Sequence, residues 1–404
     1  MLAEIGQERQ KSKSLRVFAG LGLFIMALSL RPGIVSIGPL VHAIQAEFGM
    51  KHAEAALLTA IPDICMAVFA ILVPTLARRI GSDRVVLISL ALLGVALVLR
   101  AFAGSPSSLL LATLLVGIGV AMSGPLIGGW IKTHFAGEAA LFMGIYAAGL
   151  GVGATLAAMG SEAIAVASGG WRLGVGIWAV VCVLAIVSWK RLTSAYPSTP
   201  NVTHVRAAPA HSPLRSGRAW LIAAYFGINQ FICYACFAWV GESSRELHIN
   251  ALSSGVNLGL FAAMIALSSF LGGMVTNRSL DRRAWLAWSA VLSVGGAALL
   301  WLSPGTSGAL PVLAIAAGQG VCFALAMTLP LDNTGSHHEA SQWTAFMLLI
   351  GYLVAAAGPF AFGFLRDVTG TFRASYGLLV AAALVLLILT PLLKPRLRDA
   401  QGTA

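Results

Sequence analysis

The chain has 404 residues, 58% of them hydrophobic and only 10% charged, with a mean hydropathy of +0.85 and a formal net charge of +11. A soluble domain carries about a quarter charged residues, so this composition excludes a water-soluble fold and fits an integral membrane protein. The positive excess does not point to nucleic acid, because the basic residues fall in short clusters between apolar runs and not along one soluble face.

A bilayer core takes roughly 20 apolar residues per helix. Breakers and charges divide the chain into twelve predicted spans: 17–41, 54–77, 85–103, 108–131, 139–166, 172–189, 219–240, 252–276, 284–303, 309–331, 342–365 and 374–393. Residues 1–16 form a polar, basic tail that runs into a full-length span with no small-residue cleavage site, so they read as a cytoplasmic tail and not as a signal peptide.

Within the first span stands Arg31, with no acid near it in sequence. A central Arg costs about 2.5–3.5 kcal/mol on insertion scales, so such residues face protein or a water-filled cavity and mark solute or ion paths. Pro32 lacks an N–H and disfavours α geometry at Arg31, which predicts a kink or local unwinding where the guanidinium sits. A guanidinium is permanently charged and binds anions bidentately. Asp63, the only acid in the interior of the second span, is its natural partner. Arg31 lies fifteen residues from Arg16 and Asp63 fifteen from Arg78, so both sit about 22 Å from the same face. The pair is either a structural ion pair or a switch in which a protonated Asp63 releases Arg31 to an anion.

Farther along, Arg100 and Glu162 fall near the ends of their spans and read as snorkelling residues. Gly124, Gly128, Gly129, Gly149, Gly151 and Gly153 suit close helix packing and not a dinucleotide loop, since no strand precedes them. Trp130, Trp239, Trp285 and Trp343 read as interfacial anchors. The five cysteines lie in apolar segments, which excludes a disulfide scaffold or zinc ribbon, and the CxxC-like Cys233 and Cys236 are not read as a redox pair.

Residues 190–218, rich in Pro, Ser, Ala and basic residues, read as a cytoplasmic linker between a bundle at 17–189 and a second at 219–393, with a cytoplasmic tail at 394–404. The sequon Asn201-Val202-Thr203 is then inert. Lys11, Lys13, Arg16, Arg78, Arg79, Arg84, Lys132, Lys190, Arg191, Arg206, Arg215, Arg218, Arg278, Arg282, Arg283, Lys394, Arg396 and Arg398 cluster at the ends on one side, against Lys51, Arg100, Arg172, Arg245, Arg366 and Arg373 on the other. The positive-inside rule places both termini in the cytoplasm. The turn at Thr334–Ser341 carries only His337 and His338, which read as solvated loop residues.

Matching Asp83-Arg84 with Asp281-Arg282 sets a repeat offset of 198 residues. That offset, or one more, carries Arg31 onto Asn229 or Gln230 in the seventh span, at the repeat interface where solute sites form. Tyr234, Asn257 and Gln319 are candidates to complete the ring, and Tyr146 and Tyr352, at matching places in the two halves, to close it. Each has interhelical hydrogen bonding as its ordinary alternative.

Parallel six-helix repeats are the architecture of the major facilitator superfamily. The turn LARRIGSDR (Leu76 to Arg84) is similar to that superfamily's loop between helices 2 and 3, although Gly81 and Asp83 depart from its spacing and the trailing basic pair is missing. Asp83 and Arg84 remain its candidate gating residues. SLRPGIVSIGPL (29–40), FGINQFICYACFAW (226–239) and GYLVAAAGPFAFGFLRDVTG (351–370) resemble the cyanate transporter family, which includes a 2-nitroimidazole exporter. The resemblance covers essentially the whole chain. It implies an all-α membrane fold of twelve helices in two pseudo-symmetric bundles and a small solute moved by alternating access across a bacterial inner membrane.

No P-loop, HExxH or GxSxG occurs, so neither an ATP-driven pump nor an intramembrane hydrolase is expected, and no cofactor or metal. The expected partners are a small-molecule solute, the lipid bilayer, and protons or a counter-solute, with the monomer as the working unit. Uptake of a cyanate-like anion leads, efflux of small aromatic or drug-like compounds competes, and a non-transporting sensor is disfavoured by the lack of an appended soluble domain.

Overall fold

The computed structural model describes residues 2–135, 138–196, 213–249, 252–276, 281–305, 308–334 and 337–394. Asn201, Thr203, Arg206, Arg278, Arg396 and Arg398, with most of the linker, lie outside the described residues, as do the side chains of Lys11, Lys13, His337 and His338. The described chain is helical with no strand. Eleven helices are long and apolar enough to cross a membrane: α1 (Leu15–Phe48), α2 (His52–Ile80), α3 (Ser82–Ala101), α4 (Pro106–His134), α5 (Leu141–Ser168), α6 (Trp171–Ala195), α7 (Gly217–Glu246), α8 (Ser254–Thr276), α9 (Arg283–Leu302), α11 (Glu339–Thr369) and α12 (Phe372–Leu393). Between them α10 (Leu310–Ala326) is shorter, at 17 residues, and a further turn at Leu329–Asp332 lengthens it. Several helices outrun their predicted apolar stretches because backbone hydrogen bonding continues past the last apolar residue; α7 reaches Glu246 and α6 continues past Lys190 to Ala195.

With α10 counted, twelve helices run back and forth, so the start of α1 and the end of α12 share one face, called here the terminal face; the opposite one is the distal face. Caps set several ends. Ser105 accepts from Ser108 N ahead of Pro106, which suits the first helical position because its missing N–H would be unpaired there anyway.

The bundles pack through missing side chains. A Cβ on Gly149 would lie 2.6 Å from Phe24 O, and one on Gly153 would overlap Leu28 O, so α1 and α5 touch backbone to backbone; Gly151 faces Ala266 of α8 instead. Leu28 O is also the carbonyl that Pro32, lacking an N–H, leaves without a helical donor. Gly124, Gly128 and Gly129 do not pack as expected, for a Cβ at each would meet nothing within 4 Å. Between α7 and α11, Gly358 sits against Phe231 O and Gly351 against the Phe226 ring. Gly358→Leu is expected to destabilise the protein by about 1–3 kcal/mol, since a backbone carbonyl cannot step aside as a flexible side chain does. Gly128→Leu, facing open space, should leave the thermal midpoint in detergent within about 2 °C of the parent, the shift of a marginal ΔΔG.

Three of the four expected Trp anchors are interior: Trp239 is buried and donates to Pro359 O at 2.9 Å, and Trp130 and Trp343 are buried too, which leaves Trp285 as the exposed one. All five cysteines are buried and free.

Candidate functional site

At Leu30 the first segment of α1 ends, and a new short helix starts at Pro32. The break falls on Arg31, as Pro32 led us to expect, but Arg31 keeps right-handed torsions (φ −80°, ψ −35°), so the helix is interrupted without an extended residue. Its carbonyl accepts from Ile34 N at 3.1 Å and Val35 N at 3.0 Å.

The Arg31 side chain is half-buried, and Tyr146 of α5, Cys233 and Tyr234 of α7, Tyr352 of α11 and Asp63 of α2 surround it within electrostatic reach. Among the described residues it makes no hydrogen bond and no ion pair within 4.0 Å. Asp63 is fully buried one residue after Pro62, and neither of its carboxylate oxygens has a hydrogen-bond partner. The two groups predicted to pair are therefore neighbours that hold no bond to each other.

Aromatic rings enclose this point. The Tyr234 and Tyr352 centroids lie 6.3 Å apart, and Tyr234 approaches Phe237 at 6.1 Å while Tyr352 meets Phe226 edge-on at 5.9 Å. Gln230 is buried one helical turn from Cys233 and Tyr234, with its Oε1 unpartnered.

Other predicted members divide differently. Asn229 donates to Gln319 Oε1 at 2.7 Å, and Gln319 donates to Ser293 Oγ at 3.0 Å, a buried chain across α7, α10 and α9 inside the second bundle. Asn257 is not in the ring: it sits at the distal start of α8, where its amide donates to Leu252 O and Ser253 O. Its apolar surroundings in sequence hid the fact that it lies within the first turn of its helix.

At the terminal face, Arg84 is exposed and Asp83 has a buried, unpartnered Oδ1. In the second half Asp281 pairs with Arg283 at 2.7 Å, and Arg282 reaches Asp332 at 3.0 Å. Burial holds the Asp332 carboxyl above its ordinary range, against the opposing pull of Arg282. These pairs, like Arg16 with Glu138 at 2.8 Å, stay within one bundle.

Polar contacts between the bundles gather at the distal face. Glu162, expected to snorkel, instead accepts from Ser253 Oγ and Gly255 N, both at 2.5 Å, at the start of α8. Asp367 near the end of α11 accepts from His52 N at 3.1 Å and Ala53 N at 2.9 Å, with His52 Nδ1 at 2.7 Å, at the start of α2. The fifth helix of each half thus caps the second helix of the other, supplying acceptors and negative charge to unpaired N–H groups. Beside them a cavity of about 510 Å³ is lined by His42, His52, Glu242, Arg245, Glu246 and Arg366. Its charges are largely paired: Glu242 with Arg245 at 2.7 Å, Glu246 with Arg366 at 2.7 Å, and His42 with Glu242 at 3.3 Å.

Sequence reasoning missed Cys233, Glu162, His52 and Asp367. The signal available for Asp367 was its repeat relation to Glu162, since both lie near the distal ends of corresponding helices.

Two helical bundles that meet around a polar centre, joined at one face by reciprocal contacts, are the architecture of transporters built from parallel repeats. The chain belongs to the Major Facilitator Superfamily, whose sequence profile matches residues 17–359. It is 29% identical over 374 residues to the cyanate transport protein CynX of Escherichia coli, covering 91% of this chain and 95% of that one. It is also 26% identical over 353 residues to the 2-nitroimidazole transporter of the same organism (86% and 88% covered), and 28% identical over 373 residues to an uncharacterized Bacillus subtilis transporter (90% of each). A bacterial homologue of the human lysosomal transporter Spinster shares the fold in an occupied inward-facing structure (TM-score 0.75, 18% identity) and an unoccupied one (0.77, 19%), each covering 96% of this chain and 99% of that one. The protein is accordingly a multi-pass transporter of the bacterial inner membrane and not an enzyme.

Proposed function

We propose that the protein carries a small, compact solute with an anionic or electron-rich end by alternating access, with Arg31 as its anchor and Asp63 as the proton-coupling group. The observation that carries this reading is that Arg31 and Asp63 stand together at the bundle interface with neither bonded to the other. An unpartnered intramembrane cation is costly and is expected to serve a path. The names of the relatives give the substrate range: cyanate as the leading solute class, nitroimidazole-like compounds as the second. The second reading has its own support in the tyrosines and phenylalanines around Arg31, whose faces suit a planar ring. Proteoliposome flux with labelled cyanate, other small monoanions and nitroimidazoles tests both; saturable flux of cyanate supports the first, of nitroimidazoles alone the second, and of none overturns both.

Asn229 and Gln319 are assigned to interhelical bonding, Asn257 to the start of its own helix, and Gln230, Tyr146, Tyr234 and Tyr352 to the solute wall. The basic clusters support a cytoplasmic terminal face under the positive-inside rule. The 17–189 and 219–393 bundles are the rocking units, and Asp83 and Arg84 close the cytoplasmic side when the distal side opens. A single chain suffices for the path.

In this reading the Glu162 and Asp367 caps hold the distal side shut. Removing a cap costs about 0.5–2 kcal/mol, so Glu162→Gln with Asp367→Asn should shift the population several-fold toward distal opening. In a background with Cys65, Cys182, Cys236 and Cys322 replaced by Ser, labelling of Cys233 by an impermeant maleimide applied from the distal side should rise accordingly. Labelling equal to the parent would refute the latch.

A further inference from the structure

We propose that Arg100 is a positioning residue for Arg31: it occupies the carbonyl left free by the break in α1 and fixes the turn from which the anchor projects. The inference rests on the reading of Arg31 as solute anchor for its transport consequence, but not for its structural one.

Arg100 stands three residues from the end of the predicted third span, where snorkelling to the interface is the ordinary expectation for a basic side chain. The structure overturns that expectation. Arg100 is fully buried, and no carboxylate among the described residues lies within ion-pair distance of it. Its Nη1 donates to Gly33 O at 2.7 Å and its Nη2 to Thr113 Oγ1 at 3.1 Å, while the Thr113 hydroxyl donates to Leu109 O at 2.8 Å. Nε has no partner. A buried cation without an acid carries a large desolvation cost, offset here only by oriented oxygen acceptors.

The Gly33 acceptor is itself a product of the break. In a continuous helix Gly33 O would take the N–H of Ile37. The short helix ends at Val35, and Ile37 instead leads a 3-10 turn at Gly38–Leu40, so no described backbone donor reaches Gly33 O. A buried carbonyl of this kind must find a donor. Glycine is what lets it approach, since a Cβ on Gly33 would lie 2.8 Å from Val116 Cγ1 and 3.1 Å from Leu93 Cδ1, atoms of the helices that carry Thr113 and Arg100.

Arg31 shares this turn. Its carbonyl accepts from Ile34 and Val35, the residues that follow Gly33, so a shift at Gly33 re-aims the guanidinium. Beyond the turn, Gly38 abuts Phe237 O of α7 at a built-Cβ distance of 2.5 Å, so the same turn also steers α1 against the opposite bundle. Arg100 thus acts on the solute through backbone geometry, without touching it.

The full chain in nanodiscs gives a test independent of any solute. Arg100→Met keeps length and apolar packing but removes the donors. Amide hydrogen exchange in peptides covering residues 31–40 should then rise about tenfold or more while α8, α9 and α12 stay unchanged, the mark of local and not global opening. Unchanged exchange at 31–40, or a rise spread evenly over all helices, would overturn the proposal. If Arg100→Met does not fold, Arg100→Lys decides. One ammonium on a shorter stem serves the two acceptors less well, so exchange at 31–40 should rise at least about threefold; no rise overturns it. For whichever solute the parent transports, Arg100→Met should raise KM at least about tenfold with the maximal rate within about threefold, the signature of a displaced binding group. If the parent transports none of the probes, the solute reading fails while the exchange result still decides the role of Arg100.

Discussion

Arg31→Gln is expected to abolish saturable flux at solute concentrations where the parent is half-saturated. The guanidinium is the one fixed positive charge at the centre of the described site, and it is not neutralised there by an ion pair. A hydrogen bond to a charged group contributes about 1.5–3 kcal/mol, and 2 kcal/mol corresponds to roughly a thirtyfold rise in KM. Glutamine retains hydrogen-bonding capacity but carries no charge, so an anion loses the attraction that held it. Arg31→Lys should fall between, because an ammonium keeps the charge but loses the planar fork. Proteoliposome counterflow measures all three. Flux unchanged from the parent for every transported solute would remove Arg31 from the solute path.

What a reader of the sequence can recover is depth, and what stays hidden is azimuth. Arg31, Asp63 and the tyrosines were legible because an ionisable or polar side chain in an apolar run announces its position along the membrane normal. Their grouping was legible only in part. Matching depths brought Arg31 to Asp63 but said nothing of whether they bond, and the repeat offset reached Asn229 without showing that Gln319 already holds its amide. Arg100 was misread because closeness to a span end implies snorkelling only when the side chain points outward, and this one points inward to a backbone carbonyl. The glycines divide on the same ground: Gly149 and Gly153 face α1, while Gly124, Gly128 and Gly129 face open space, although each run holds three glycines. Glu162 and Asp367 were invisible as caps because each meets the start of a helix in the opposite half of the chain, a pairing that no local pattern encodes.

The second large effect is expected at Asp63. Moving a monoanion inward against an inside-negative potential costs about 2.3 kcal/mol per 100 mV, which opposes accumulation roughly fiftyfold. One proton carried with the anion makes the step electroneutral. Asp63 is placed for this because it is fully buried near Arg31 with neither carboxylate oxygen bonded, so a solute anion and the Asp63 carboxylate compete for one guanidinium. In the proposed cycle a solute bound at Arg31 draws a proton to Asp63, and its release into the cytoplasm returns Arg31 to the influence of the ionised carboxylate. Asp63→Asn fixes the neutral state. The variant should still exchange labelled for unlabelled solute, since a loaded carrier need not change charge to reorient. It should lose uptake driven by an inward proton gradient, where a one-to-one parent accumulates solute about tenfold per pH unit, equivalent to 1.36 kcal/mol. Measuring both modes in the same proteoliposomes separates coupling from binding: gradient-driven accumulation that survives Asp63→Asn would assign the proton to another group, and loss of exchange as well would make Asp63 part of the solute site itself.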